Sequence, residues 1–246
     1  MAWRSQLNRV AGVNAIYEFW AGSVITAIFV ADVGSDAVSA WRESYDGGRD
    51  FHRNLTHEPT LAPRWIAFEG ELDFRTSEPV PKQALDFVKF SPASALGAVR
   101  DSVLERTENL WGLVEVLPLR CRDGDYSAIH AARHYDVLDL DDSTYGVPRG
   151  EFVWTSGTLG ALTVMGFSGV EGLQKVDLFR VPERTAMFCT QGFLDRLREL
   201  RITGYGARQV WPPTEEQLAE EARLLALQRA GKLHGEMHFR PEALEA

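Results

Sequence analysis

Four aspartates fall within seven positions of the stretch YDVLDLDDSTYG, residues 135–146. Carboxylates at that density could hold a hard cation through oxygen ligands, or divide acid and base work between them. The spacing supports neither strongly. A calcium loop needs D-x-D-x-D-G closed by a glutamate, and that pattern is absent. In an extended chain Asp136 shares a face with Leu138 and Leu140, while Asp139 lies opposite with Val137. Asp141, Asp142 and Ser143 then have the composition of a turn, their side-chain oxygens accepting from nearby backbone N–H groups. The stretch reads as a strand running into a turn, with Leu138 and Leu140 buried and Val137 joining them if both faces are covered. A metal-dependent hydrolase built on these aspartates and the histidines is the alternative.

Histidine spacing offers a second candidate. His130 and His134 are four apart, as are His234 and His238. On a helix that spacing puts two imidazoles on one side, as zinc sites require. The first pair, however, falls at a strand end and a connection. In HGEMH the glutamate takes the third place, not the second as in the metalloprotease motif, and Gly235 weakens a helix there. Other catalytic signatures are missing: no G-x-S-x-G, no Walker A loop and no G-x-G-x-x-G occurs. Cys189 sits inside an apolar run, where a thiol packs rather than reacts. No catalytic set assembles, so the chain reads as a non-enzyme without cofactor or metal.

The elements that must position these residues follow from periodicity. Residues 23–33, SVITAIFVADV, read as a buried strand, followed by helical spacing at Ala37, Val38 and Trp41. The stretch DGGRDFHRNLTHEPTLAPRW is loop, and FEGELDF (68–74) a short strand. In LVEVL (113–117) Val114 and Val116 share one face about Glu115, and Pro118 ends the strand or places it at a sheet edge. RDGD (122–125) is a hairpin turn with YSAIH as its return strand. VDLFRV (176–181) and AMFCT (186–190) read as successive strands. Thr190 stands where it can cap a helix over 191–200, whose Phe193, Leu194, Leu197 and Leu200 form one stripe. Gly204 hands over to the strand YGARQVW. Beyond Pro212-Pro213, Thr214 and Gln217 make a capping box for a helix to about Arg229.

The chain has 246 residues, 45% hydrophobic and 25% charged, which is ordinary globular composition with room for a sizeable core. Asp and Glu outnumber Lys and Arg 35 to 26, a net charge of −9. That balance argues against a nucleic-acid partner and suits a basic protein partner. Two cysteines make no disulfide framework, and the early apolar run is too short for a bilayer. A cytoplasmic protein without membrane attachment is expected.

The order of segments from Tyr126 to Trp211 resembles polymorphic-toxin immunity family eleven, formerly a domain of unknown function. The resemblance rests on YSAIH (126–130), YDVLDLDDS (135–143), VDLFRV (176–181) and AMFCTQGFLDRLRELRITGY (186–205). It implies an α+β fold, with a mixed, mainly antiparallel sheet, packed helices and a C-terminal helical extension. It divides the chain into an N-terminal region (1–75), the family domain (76–212) and a helical tail (213–246). It also implies a cytoplasmic protein that binds a cognate secreted antibacterial toxin, a nuclease among the toxin classes, and carries no catalytic residues. An adaptor or chaperone for a secreted effector is the alternative. Candidate toxin contacts are aromatic and acidic residues beside loops: Trp41, Asp46 and Asp50 around the DGG loop, with Glu151 and Trp154.

Overall fold

The computed structural model describes residues 13–22, 27–31, 39, 41, 43, 58, 60–74, 85–90, 96–107, 114–147, 162–184, 186–233 and 235–245. The β-branched and aromatic runs of the first half close into a barrel. Its strands are β2 (Ala27–Ala31), β3 (Phe68–Phe74), β4 (Phe87–Phe90), β5 (Gly97–Arg100), β6 (Val114–Cys121) and β7 (Tyr126–Ala131). They follow the order β2-β3-β6-β7-β5-β4, and β4 pairs back onto β2. The β2–β4 and β3–β6 pairs are parallel and the rest antiparallel. Six strands leave a bore that side chains fill: Phe29, Leu72, Phe90, Leu117, Tyr126 and Ala128 share one cluster, with Trp41 and Leu61 packed into it. At Gly70 a Cβ would come within 2.2 Å of the Val30 carbonyl oxygen, so only glycine lets β3 approach β2 this closely.

Strand β6 extends beyond the expected 113–117, and of the two readings of Pro118 the edge is the one that holds. The strand runs through Pro118 to Cys121. Proline is tolerated because β6 meets β3 only from Leu119 onward, so Pro118 lies on a locally unpaired edge. The face shared by Val114 and Val116 points outward, leaving Val116 46% exposed. Glu115, Leu117 and Leu119 occupy the opposite face. The DG hairpin is as expected, and the Asp123 carboxylate accepts from the Leu72 N–H at 2.9 Å.

A four-stranded sheet lies beside the barrel. It contains β1 (Ile16–Ala21), β10 (Leu178–Arg180), β11 (Met187–Thr190) and β12 (Tyr205–Trp211), in the order β10-β11-β1-β12. Against one face pack helix α1 (Asp101–Arg106), helix α2 (Gln191–Glu199) and the outer wall of the barrel, through Phe19, Phe87, Val99, Ile129, Phe193 and Leu197. Cys189 is fully buried in this layer, and burial pushes its thiol well up. Thr190 holds the N-cap position of α2, but its hydroxyl donates to Lys175 O at 2.8 Å and accepts from Asp177 N at 3.0 Å instead of capping. Gly204, at φ 82°, makes the handover to β12.

The sheet's other face packs on a three-stranded sheet. Its strands are β8 (Leu138–Val147), β9 (Leu162–Phe167) and β13 (Glu236–His238), in the order β13-β8-β9. Ile16, Phe179, Phe188 and Val210 meet Val137, Leu138, Met165 and Phe167 there. The fold is therefore α+β with mainly antiparallel sheets and a C-terminal helix, as the sequence predicts. The boundary drawn near residue 75 separates no folding unit, since β1 hydrogen-bonds to both β11 and β12, and β2 and β3 are barrel staves.

The tail is also more than helical. Helix α3 (Glu215–Arg229) begins with the expected capping box: the Gln217 N–H donates to Thr214 Oγ1 at 3.3 Å, and the Thr214 N–H to Gln217 Oε1 at 2.7 Å. After it β13 pairs antiparallel with β8, and helix α4 (Pro241–Glu245) closes the chain. Arg240 donates to Glu221 from Nε at 3.0 Å and from Nη2 at 3.0 Å, both side chains under 10% exposed. Thr144 of β8 donates its hydroxyl to the same carboxylate. Removing Glu221 takes from Arg240 its buried partner, with Glu242 remaining at 2.7 Å from Nη1, and costs up to about 3–5 kcal/mol. Glu221→Ala should therefore release β13 and α4. Hydrogen exchange is expected to show lost protection over 236–245, with that of β1, β11 and β12 retained.

Candidate functional site

Three buried or half-buried ionisable groups, Glu115, His130 and Arg180, meet at one end of the barrel. Glu115 faces inward from β6, and His130 comes from the neighbouring strand β7, opposite it in register. His130 is fully buried, and its Nδ1 lies 3.2 Å from Glu115 Oε2. The same carboxylate accepts from the backbone N–H groups of Leu61 at 2.7 Å and Ala62 at 2.9 Å, and from the Thr60 hydroxyl. It thus caps the short 3-10 turn Ala62–Arg64. Arg180, at the end of β10, is fully buried beside them. Its Nε donates to Ala131 O at 2.7 Å and its Nη2 to Glu58 O at 2.8 Å. Its backbone pairs with residues 133–135, tying β10 to the chain that leaves the barrel.

The charges follow from this geometry. Burial raises the Glu115 carboxyl, but the hydrogen bonds from Leu61, Thr60, Ala62 and His130 outweigh it and hold the group below its ordinary range. Burial pushes the His130 imidazole down to about 3, with the Arg180 charge acting the same way and Glu115 opposing both. Burial also lowers Arg180, to about 9, so it stays cationic at neutral pH. His130 is then neutral, with Nδ1–H facing the carboxylate and a bare Nε2. A carboxylate that orients histidine through Nδ1 is half of a general-base dyad. Here Nε2 is enclosed, with no hydrogen-bond partner among the described residues. The arrangement works as a clasp that fastens Glu58 and residues 60–64 at the barrel end.

The aspartate-rich stretch builds a backbone feature. Strand β8 continues through it, and between Asp139 and Thr144 its register against β9 shifts in a wide bulge. Asp139 Oδ1 accepts from the N–H of Asp141 at 3.1 Å and of Asp142 at 3.2 Å. Ser143, fully buried, donates to Asp139 O and accepts from the Gly166 N–H at 2.9 Å. The expected turn residues thus bulge the strand instead of ending it. Val137 and Leu138 are buried, and Leu140 is partly so. Burial raises the Asp142 carboxyl. Among the described residues no three His, Cys, Asp or Glu side chains come together to hold a metal ion.

Of the residues singled out as toxin contacts, Trp41 is 2% exposed and lies edge-on to Trp65 and Phe68 in the barrel core. A side chain so enclosed packs the interior and presents nothing to a partner. Asp46, Asp50, Glu151 and Trp154 lie outside the described residues, as does His234. His238 is in β13, its ring stacked on Tyr145 at 4.9 Å. Sequence reasoning missed Trp20. Among the described residues it is the one large aromatic more than a third exposed, at 39%. It lies across Gly206, where a Cβ would be 2.2 Å from the indole. Glu18, two residues away on the same face of β1, is held by Arg184 and Arg208. The alternation Ile16, Glu18, Trp20 carried that signal, one strand face passing from buried to exposed.

A scan against models of protein families gives no match to this chain, and a search of curated proteins gives none either. No helix of the described residues is long and apolar enough to cross a membrane.

The clasp has a pH signature. A histidine whose folded value lies below its unfolded value binds its proton more readily in the unfolded chain. Its contribution to stability is therefore complete above about 6.5 and is lost as pH falls towards 3. Within that window stability should fall by up to about 1.4 kcal/mol per pH unit for this one proton. Urea titrations at stepped pH are expected to show that slope, and His130→Gln to flatten it above the carboxylate range.

Proposed function

We propose that this chain is an immunity protein that neutralises a cognate secreted toxin by stoichiometric binding in the cytoplasm of the producing cell, without catalysis of its own. The observation that carries the reading is where the charge resides. Among the described residues the buried charged side chains are Asp177, Arg180, Glu221 and Arg240, two carboxylates and two guanidiniums. Their charges cancel and His130 is neutral, so the net −9 belongs to the rest of the molecule. An acidic exterior accelerates encounter with a basic surface and can occupy a basic cleft, such as the substrate groove of a nuclease. The order of segments between Tyr126 and Trp211 supports the same reading through its resemblance to the immunity family.

Charge steers a partner, but affinity needs an anchor that leaves water on binding. Tryptophan and arginine are the residues that most often serve. Trp20, two residues along the same strand face from Glu18 and the Arg184 and Arg208 that hold it, has that composition.

The deciding experiment expresses the toxic domain encoded beside this chain, with and without it. Growth restored only by co-expression, together with a one-to-one complex, is the expected result. A toxin harmless without this chain, but no longer secreted in its absence, would make the protein an adaptor instead. Trp20→Ala should weaken the complex about 30-fold, the loss of an anchor of roughly 2 kcal/mol. Affinity should also fall as salt rises, and a salt-independent constant would remove the electrostatic part of the proposal.

A further inference from the structure

Residues 236–245 form a strap, β13 followed by α4, that is fastened to the rest of the molecule at one seam. Its apolar anchor is a small cluster of its own. Phe239 and Ala243 pack on Leu225 of α3, with Leu224 and Met237 beside them, and none of the five belongs to the three larger cores. Along β8 the strap adds three antiparallel pairs, Glu236 with Val147, Met237 with Gly146 and His238 with Tyr145. Arg240 is the polar lock: besides its bonds to Glu221, its backbone N–H donates to Thr144 Oγ1 at 3.2 Å. The seam is incompletely filled. An open groove of about 700 Å³ is lined by Ala222, Leu225 and Ala226 of α3 and by Arg240, Glu242 and Ala243 of the strap. A short edge ladder, a separate small cluster and one ion pair are the features of a unit that opens well below the free energy of global unfolding.

The way the strap returns to its own helix depends on glycine. Helix α3 ends in a Schellman turn: the Gly231 N–H donates to Gln228 O and the Lys232 N–H to Leu227 O, both at 2.9 Å. Gly231 has φ 65° there, and Gly235, just before β13, has φ 131°. These two left-handed positions turn the chain back from the end of α3. No atom lies within 4 Å of a Cβ built at either, so a side chain would meet backbone strain alone.

We propose that the strap is exchangeable: β13 and α4 leave as a unit and seat on α3 and β8 of a second copy, which returns its own strap in the same way. The occupant follows from the fold, because the surface each strap vacates is the one an identical segment fills here. Every contact of the closed form recurs between the two copies, so the hinge and the cost of association decide which form prevails. A connection that turns back at Gly231 favours the closed monomer, and one that runs on favours the exchanged pair. The exchange is independent of what else the protein binds.

Two complementary variants of the full chain test it. Glu221→Arg and Arg240→Glu each set like charges against one another within the seam. Alone, each is expected to be a monomer by light scattering, with hydrogen-exchange protection lost over 236–245. Mixed in equal amounts, they should form a one-to-one dimer with that protection regained, the native pair forming across one seam and the reversed pair across the other. Folded variants that remain monomeric on mixing would overturn the proposal. So would a dimer in which 236–245 stays unprotected, since its contact would lie elsewhere. Gly231→Ala serves if either charge variant unfolds. It should lower the dimer's dissociation constant about 30-fold, because two hinges are each relieved of a left-handed turn. A Gly231→Ala chain no more dimeric than the unaltered one, from about 1 to about 500 μM, would overturn the proposal as well.

Discussion

A guanidinium with no contact to water must have its charge and its donors met inside the protein, and Arg180 imposes that condition on three parts of the chain. One nitrogen is satisfied by the end of a barrel strand, at Ala131, and another by Glu58 of the segment that crosses the barrel end. Its own backbone belongs to β10 and pairs with residues 133–135. The nearby Glu115 carboxylate supplies the opposing charge while it caps the 3-10 turn. Solvating an arginine by protein alone requires that these groups arrive together. The barrel, the four-stranded sheet and the crossing segment are thereby fixed in relation to one another by polar geometry. The apolar layers alone would be more forgiving of a small slide.

The same device recurs at other joints. Asp177, fully buried, sits between Arg133 at 3.4 Å, the Tyr135 hydroxyl at 3.1 Å and the Gln174 N–H at 3.1 Å, linking β10 to the chain entering β8. Glu221 and Arg240 hold the tail to β8. A buried ion pair adds little net stability compared with well-packed apolar residues, but it penalises misplacement heavily. Its use at successive seams specifies how layers meet. The histidine and carboxylates of the interior belong to this scaffold.

Local structure was legible in the sequence where local physics decides it. The stripe of α2, the capping box of α3, the Asp-Gly hairpin and the strands at 68–74, 176–181 and 186–190 follow from periodicity and turn chemistry. What was not legible depends on distant partners. Barrel closure joins β4 to β2 and β3 to β6 in parallel, and no local pattern encodes a parallel neighbour. Pro118 allowed either a strand end or a sheet edge, and the choice depends on where β3 begins to pair. Asp141 to Ser143 have turn chemistry, but the bulge they make is visible only against β9, where Gly166 leaves no room for a Cβ beside Asp142. The Glu115–His130 contact joins residues that a strand reading keeps 15 apart. It could be found only once Glu115 was seen to face inward, since two valines about a glutamate do not say which face meets the core.

The position of β1 bears on how the chain reaches this state. Its residues 16–21 are flanked on both sides by strands whose residues fall between 187 and 211. During synthesis β1 therefore emerges long before either neighbour exists, with both rows of backbone groups unsatisfied. Contacts so far apart in the chain are closed late and slowly, because the intervening loop entropy must be overcome first. The barrel strands, closer together in sequence, can assemble earlier and cover Phe19 from one side. Maturation then ends with a zippering in which α2, flanked by β11 and β12, delivers two strands around one that has been waiting. That interval, with a bare strand carrying Trp20 at its end, is when the chain is most exposed to unwanted association.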